Sequence, residues 1–346
     1  MSIPTTVEEA YLVGCLMGRG VLQRAGNRYK LIFRIPFREY DPVGTEIVNA
    51  LLSQSTGLAH SQLLELSAVR ARNLRNLANR LVRLRRWNPP TRVVGGSVVE
   101  RVGGRWRIGD ATKAREYLRR QKTLLGREHS AIKDYVLRHL TDALSTVSNQ
   151  VEYSEEMLSF GITDHAIACE IEQRPFDKMR RRYGLSLGEI HRIDSLPPII
   201  YASPRDIQEE FVRGLADIVG SFDKWFEMWR VQFSILENES FCVELCRLFQ
   251  VNLEIPVHYI EWNEEYMGRG SRDILLKIWT PNAAKLTDRR VFYNYMKQTE
   301  FLENLDSTME TVATGGTPTM FNPCPRDPEN LRKYTIRCMT CGCTQI

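Results

Sequence analysis

Apolar positions recur at helical spacing from Val7 to Met17 and give way at Gly20 to a strand-like run, which predicts an opening helix followed by a strand. Thr6 stands three residues before Glu9, the spacing of a capping box, and the acids favour the positive end of the helix. Next comes a period of two: Tyr29, Leu31, Phe33 and Ile35 alternate with polar residues after a Gly26-Asn27 turn, so a hairpin is expected. Asp41 and Pro42 read as the N-cap and first position of a second helix. Residues 56–90 follow as an Arg-rich helical insertion. In it Leu74, Leu77, Leu81 and Leu84 form one apolar stripe, and Arg72, Arg75, Arg80, Arg83 and Arg86 take much of the remaining surface. A second hairpin, turning at Gly103-Gly104, is expected to complete this first unit.

The same order returns after residue 200. Ser203-Pro204 is expected to cap and open a helix that ends at Gly220. Trp229, Val231, Phe233 and Ile235 then alternate with Arg230, Gln232 and Ser234. A helix over 237–251, strands over 255–262 and 272–279, and a last helix over 281–296 complete an αββαββα unit. The reading divides the chain into a first repeat (1–118, insertion about 56–90), a helical linker (119–202), a second repeat (203–305) and a Cys-containing tail (306–346). Within the linker, Gly161 and the stretch 183–193 resemble helix-turn-helix punctuation.

Charge changes this picture. The chain is +5 overall, but between Arg70 and Lys122 there are sixteen Lys and Arg against three acids, a local +13 that leaves −8 elsewhere. Such concentration suggests a polyanionic partner. Apolar content of 43% with 26% charged residues is ordinary for a globular protein. No apolar run is long enough to span a bilayer, and the acidic N-terminus lacks the basic start of a signal peptide, so a cytoplasmic, nucleoid-associated protein is expected.

The duplicated helices carry a resemblance. "LVGCLMGRG" (Leu12–Gly20) and "VRGLADIVG" (Val212–Gly220), each followed by the same series of elements, are similar to the signature of the LAGLIDADG homing endonucleases and their relatives. The resemblance implies an α+β fold: two pseudo-symmetric αββαββα units forming a saddle over double-stranded DNA. Close crossing of two helices requires small residues, which assigns Gly14, Gly18 and Gly214 to the repeat interface. It also places Arg24, Lys30, Arg34, Arg230, Gln232, Ser234 and Lys277 toward DNA, Arg and Gln being suited to bidentate base contacts. Arg72, Arg75, Arg80 and Arg83 are expected on phosphates.

In the family the acid before the final glycine of each motif binds the divalent metals used for cleavage. Here those positions are Arg19 and Val219. Arg19 would repel Mg²⁺ and suits a phosphate. Asp217 lies two residues earlier, about 200° around the helix, so it is no simple replacement. The resemblance therefore implies DNA binding without standard cleavage. An endonuclease using Mg²⁺ with other acids (Asp217, Asp223, Glu227 or Asp41) and an RNA-binding, maturase-like or interaction subunit of a nucleoprotein complex are the alternatives. Cys324, Cys338, Cys341 and Cys343 form a candidate structural zinc site through a Cys-x₂-Cys half. No phosphate-cradling glycine loop or nucleophile elbow is present.

Overall fold

A computed structural model describes residues 6–313 apart from 55, 67–73, 89–95, 149–150, 154–157, 160–163, 226, 237, 263–272 and 287–288. In chain order the elements are α1 (Val7–Arg19), β1 (Gly20–Ala25), β2 (Arg28–Pro36), α2 (Pro42–Leu52), α3 (His60–Leu66), α4 (Leu74–Arg86), β3 (Val99–Val102), β4 (Arg105–Ile108) and α5 (Ala111–Ala131). A π-helical turn leads to α6 (Arg138–Val147), β5 (Val151–Tyr153), β6 (Leu158–Ser159), β7 (Asp164–Glu172), α7 (Gln173–Tyr183), β8 (Gly188–Glu189), α8 (Ile190–Ile193) and α9 (Pro198–Ala202). The last elements are α10 (Arg205–Val219), β9 (Gly220–Trp225), β10 (Met228–Leu236), α11 (Glu239–Arg247), β11 (Tyr259–Trp262), β12 (Asp273–Trp279), α12 (Thr280–Ala283) and α13 (Tyr295–Ala313). The fold is α+β with antiparallel hairpins, and no helix of the described residues is long and apolar enough to cross a membrane.

The chain divides into two compact units: unit 1 (Met1–Ile35, Ala131–Leu158 and Ala166–Ile346) and unit 2 (Pro36–Ser130 and Ser159–His165). Unit 1 holds both duplicated helices. Thr6 Oγ1 accepts from the Glu9 amide at 3.2 Å, so the expected cap forms on α1. The expected Ser203 cap of α10 does not form. Ser203 Oγ donates to Ile199 O instead, and Pro204 occupies the cap position. Each helix runs directly into a six-residue strand and then a nine-residue strand, Gly20–Ala25 with Arg28–Pro36 and Gly220–Trp225 with Met228–Leu236. The sheets continue alike: β5-β7-β2-β1-β8 in one and β11-β12-β10-β9 in the other. One core runs through both, with Leu12, Leu16, Phe33, Phe211, Leu215 and Phe233 at 1% exposure or less.

The third and fourth strands of the first sheet are thus β5 and β7. The 99–108 hairpin expected there pairs only within itself, apart from a bridge between Leu58 and Trp106. Its Val99 and Trp106 join Val48, Leu51, Leu77, Leu81 and Leu84 in the separate core of unit 2. The insertion therefore begins just after β2. The helical linker is corrected too: the stretch after Gly161, which the helix-turn-helix reading makes a helix, forms strand β7, and Gly161 itself lies outside the described residues. The single helix expected over 281–296 is not continuous: α12 stops at Ala283 and α13 begins only at Tyr295. Residues 291–294 are non-helical: the Asp217 carboxylate accepts from the Tyr293 and Asn294 amides, and Asn294 Oδ1 then caps α13 through the Met296 and Lys297 amides.

Candidate nucleic-acid interface

The seam of unit 1 is the α1–α10 crossing, and its contacts are reciprocal. A Cβ on Gly14 would overlap the Phe211 carbonyl oxygen and stand 2.9 Å from Leu215 N. A Cβ on Gly214 would overlap the Tyr11 carbonyl oxygen and stand 3.0 Å from Cys15 N. Every one of these pairs is its partner pair shifted by 200 residues, as a two-fold relation between the helices requires. Gly18 meets Ile218, where a Cβ would lie 2.9 Å from the Ile218 Cβ. All three interface glycines named from the sequence are at the crossing.

At the end of each helix, where the resemblance places a metal-binding acid, the residues present do not fit a divalent cation. Val219 is buried and apolar, and Arg19 is cationic. Beside Arg19, buried His191 places Nδ1 3.4 Å from Gly20 O, and burial lowers its pKa, keeping the ring neutral. Asp217 is fully buried. Its carboxylate accepts from Tyr11 Oη (2.8 Å) and from the Tyr293 and Asn294 amides (3.0 and 2.9 Å). Burial outweighs these donors and the nearby Lys297 ammonium, and its pKa is raised to about 6. Asp217 thus ties α1, α10 and the 291–294 segment together; it is not a metal ligand in waiting.

The second sheet corrects several sequence-based assignments. Arg230 and Lys277, expected to reach toward DNA, are 1% and 5% exposed. Arg230 pairs with Asp223, approaches His258 Nδ1 at 3.2 Å and stacks between Trp225 and Trp279. Lys277 Nζ bridges Asp223 (2.9 Å) and Glu261 (2.5 Å). Asp223 is half-buried. Burial alone would raise its pKa, but the Lys277 and Arg230 charges prevail and hold it below the usual carboxylate range. As a catalytic candidate it is already neutralised. Glu227 is exposed beside Lys224, and Asp41 caps α2 through the Gly44 amide while pairing with Arg80 at 3.1 Å. Gln232 and Ser234 are half-exposed, and Gln232 Nε2 donates to Ser221 Oγ at 3.4 Å.

The first sheet differs. Arg24 is exposed and Lys30 half-exposed, with no ion pair for either among the described residues. Arg34 pairs with Glu189 at 3.5 Å. In the β1–β2 register Lys30 stands opposite Gln23, an exposed residue that the sequence reading passed over.

Unit 2 concentrates positive charge: eighteen Lys and Arg against nine Asp and Glu, a net +9, with −4 left on unit 1. Leu77, Leu81 and Leu84 bury the predicted stripe of α4. Arg83, Arg85 and Arg86 project from it, whereas Arg80 is taken by Asp41. Arg72 lies outside the described residues, as does the side chain of Arg75. The sequence reading expected helix here but named no residue of α5 as a site residue, although Arg115, Arg119 and Lys122 follow i, i+4, i+7 spacing on one exposed face. The spacing was a visible signal. Arg101, Arg105 and Arg120 are exposed as well. Of these exposed cations, Arg83, Arg85, Arg86, Arg101, Arg105, Arg115, Arg120 and Lys122 have no acidic partner among the described residues; Arg119 pairs with Glu116. A buried carboxylate, Glu128, organises the unit's edge. Its Oε1 accepts the consecutive amides of Arg38, Glu39 and Tyr40, and its Oε2 lies 3.2 Å from His165 Nε2.

The four C-terminal cysteines lie outside the described residues, and among the described residues no cluster of three or more His, Cys, Asp or Glu could hold a metal ion. Comparison with known protein families and with curated proteins finds no match to this chain.

Proposed function

We propose that this chain binds double-stranded DNA as a monomer on a LAGLIDADG-like scaffold and does not cut it by the usual two-acid, two-metal route. The observation that carries the reading is the set of eight exposed Arg and Lys side chains of unit 2 that have no acidic partner among the described residues. Unneutralised cations in this number suit a phosphodiester backbone, whose binding is driven by release of condensed counterions. The reciprocal crossing of α1 and α10 supports the scaffold, with the two sheets as halves of a pseudo-two-fold saddle. Replacement of the helix-end acids by Arg19 and Val219, and the commitment of Asp217 and Asp223 to internal contacts, support binding without standard cleavage.

Fluorescence anisotropy with a labelled mixed-sequence DNA duplex tests the reading. Affinity should fall steeply with salt. Arg115→Ala with Arg119→Ala and Lys122→Ala should flatten log Kd against log salt by about 0.9 for each phosphate left unneutralised. Salt-independent binding, or no binding, would refute it. Tighter binding to an RNA duplex would redirect it to RNA. Plasmid cleavage with Mg²⁺ that is lost in Asp223→Asn would restore the nuclease alternative.

A further inference from the structure

The two sheets of unit 1 repeat each other's backbone but not each other's charge. Lys30 and Arg230 occupy the same place in their nine-residue strands, and each stands opposite the fourth residue of the preceding six-residue strand. That residue is Gln23 in the first repeat and Asp223 in the second. The consequence reaches the surface. In the first repeat an exposed neutral amide lies beside a half-exposed ammonium. In the second, the cations are underneath: Arg230 and Lys277 are buried, while the Asp223 and Glu261 side chains above them keep 28% and 38% of their exposure. A polyanion approaching the second sheet meets carboxylates first, and the charges that would attract it are already compensated.

Building on the DNA-binding reading, we infer that the phosphodiester backbone engages unit 1 asymmetrically: the first repeat's hairpin, through Lys30 with Gln23 beside it, accepts phosphate, and Asp223 with Glu261 closes the second repeat's sheet to it. Asp223 and Glu261 act as negative determinants. They hold Lys277 and Arg230 down and repel backbone that arrives out of register, so the duplex docks in one orientation on a scaffold whose pseudo-symmetry would otherwise allow two. Like-charge juxtaposition is an effective means of rejecting a wrong partner or pose.

Exchanging the two side chains tests this. Asp223→Gln gives the second repeat the first repeat's residue; it should tighten binding to a mixed-sequence DNA duplex and steepen the salt dependence. Gln23→Asp gives the first repeat the second's residue; it should weaken binding and flatten the salt dependence. Neutralising one phosphate more, or one fewer, corresponds to about a three- to fourfold difference in Kd accumulated between 50 and 200 mM salt. Asp223→Gln leaves Arg230 less compensated, so its folding is checked by thermal melting. If it does not fold, Glu261→Gln, which leaves the Asp223 pairs intact, takes its place with the same expected direction, and Gln23→Asp lies on an exposed hairpin. The inference is overturned if folded Asp223→Gln or Glu261→Gln binds no more tightly than the wild type, or if Gln23→Asp binds as well as it. A wild-type protein that binds no duplex removes the DNA-binding reading and this inference together; a wild type that binds while the exchanges are silent removes the asymmetry alone.

Discussion

The α1–α10 crossing makes a quantitative claim that one kind of substitution can test at both of its closest points. Gly14→Ala adds a methyl group that overlaps the Phe211 carbonyl oxygen. A backbone carbonyl inside a buried helix cannot rotate away as a side-chain end can, so the helices must separate. Overpacking of this kind costs about 1–3 kcal/mol, and contact with backbone selects the upper end. Alanine returns about 1 kcal/mol through its better helix propensity. The net loss expected is about 2 kcal/mol for Gly14→Ala, and the reciprocal geometry requires the same for Gly214→Ala. The double substitution should cost less than the sum, because the separation forced by one methyl group makes room for the other; neighbouring sites that share a relaxation are not additive. Gly126 is the control. It lies inside α5, and a Cβ there meets nothing within 4 Å, so Gly126→Ala should stabilise its helix by up to about 1 kcal/mol. Chemical denaturation followed by far-ultraviolet circular dichroism and tryptophan fluorescence measures all four variants. A crossing variant as stable as the wild type, or additive costs in the double variant, would refute the close reciprocal packing.

Other outcomes follow from the buried acids and the basic helix. The raised pKa of Asp217, about 6, means that its contribution is most favourable below the unfolded carboxylate value and is lost as pH rises through 6. Asp217→Asn removes that titration, so its stability relative to the wild type should improve by about 1–2 kcal/mol between pH 5 and pH 7.5, a tenfold change in the proton affinity of the carboxylate being worth about 1.4 kcal/mol; parallel denaturation curves at the two pH values would contradict this. Glu128→Ala strands three backbone amides and His165, and should destabilise unit 2 by about 2–4 kcal/mol, seen as faster proteolysis within 36–130. Arg115→Ala, Arg119→Ala and Lys122→Ala together should weaken binding to all DNA sequences alike; selective loss for one sequence would mean that α5 reads bases.

What could be read from the sequence was local. Thr6 and Asp41 announced their helices because a cap needs only a side chain three residues from an amide, and both caps form. The alternation Tyr29-Leu31-Phe33-Ile35 marked a buried strand face, and all four are buried. Gly14, Gly18 and Gly214 were legible as crossing residues because steric demand leaves few alternatives to glycine. The third and fourth strands of the first sheet were not legible. They lie more than a hundred residues beyond β2 across a unit with its own core, and periodicity carries no information about which distant strands pair. The 99–108 hairpin satisfied every local rule for the place it was assigned, yet it packs its Trp106 elsewhere. The burial of Arg230 was hidden for a related reason. Its strand position alone suggested an outward cation, and the groups that hold it, Asp223, His258, Trp225 and Trp279, are supplied by β9, by β12 and by the residue before β11.

The places where the repeats diverge explain how a fused pair can become asymmetric without losing its seam. Any change at Gly14 is felt by Phe211 and Leu215, and any change at Gly214 by Tyr11 and Cys15, so the crossing constrains both copies at once. Beyond the seam each helix end has its own support. The Gly20 end lies against His191, and β1 is extended by β8 through Val21 opposite Glu189. The Gly220 end is held by Lys297, whose Nζ donates to the Ala216 and Asp217 carbonyls, and by the 291–294 segment on the Asp217 carboxylate. Position 17, the counterpart of Asp217, is methionine and makes no such demand. With different supports, the helix ends and the strands that follow them are free to differ in charge. Arg19 against Val219 and Gln23 against Asp223 both fall in that released region, at the helix ends and in the strands that leave them. On this reasoning the difference between the two helix ends and the electrostatic asymmetry of the sheets share one origin: the seam constrains both copies together only where they are in reciprocal contact.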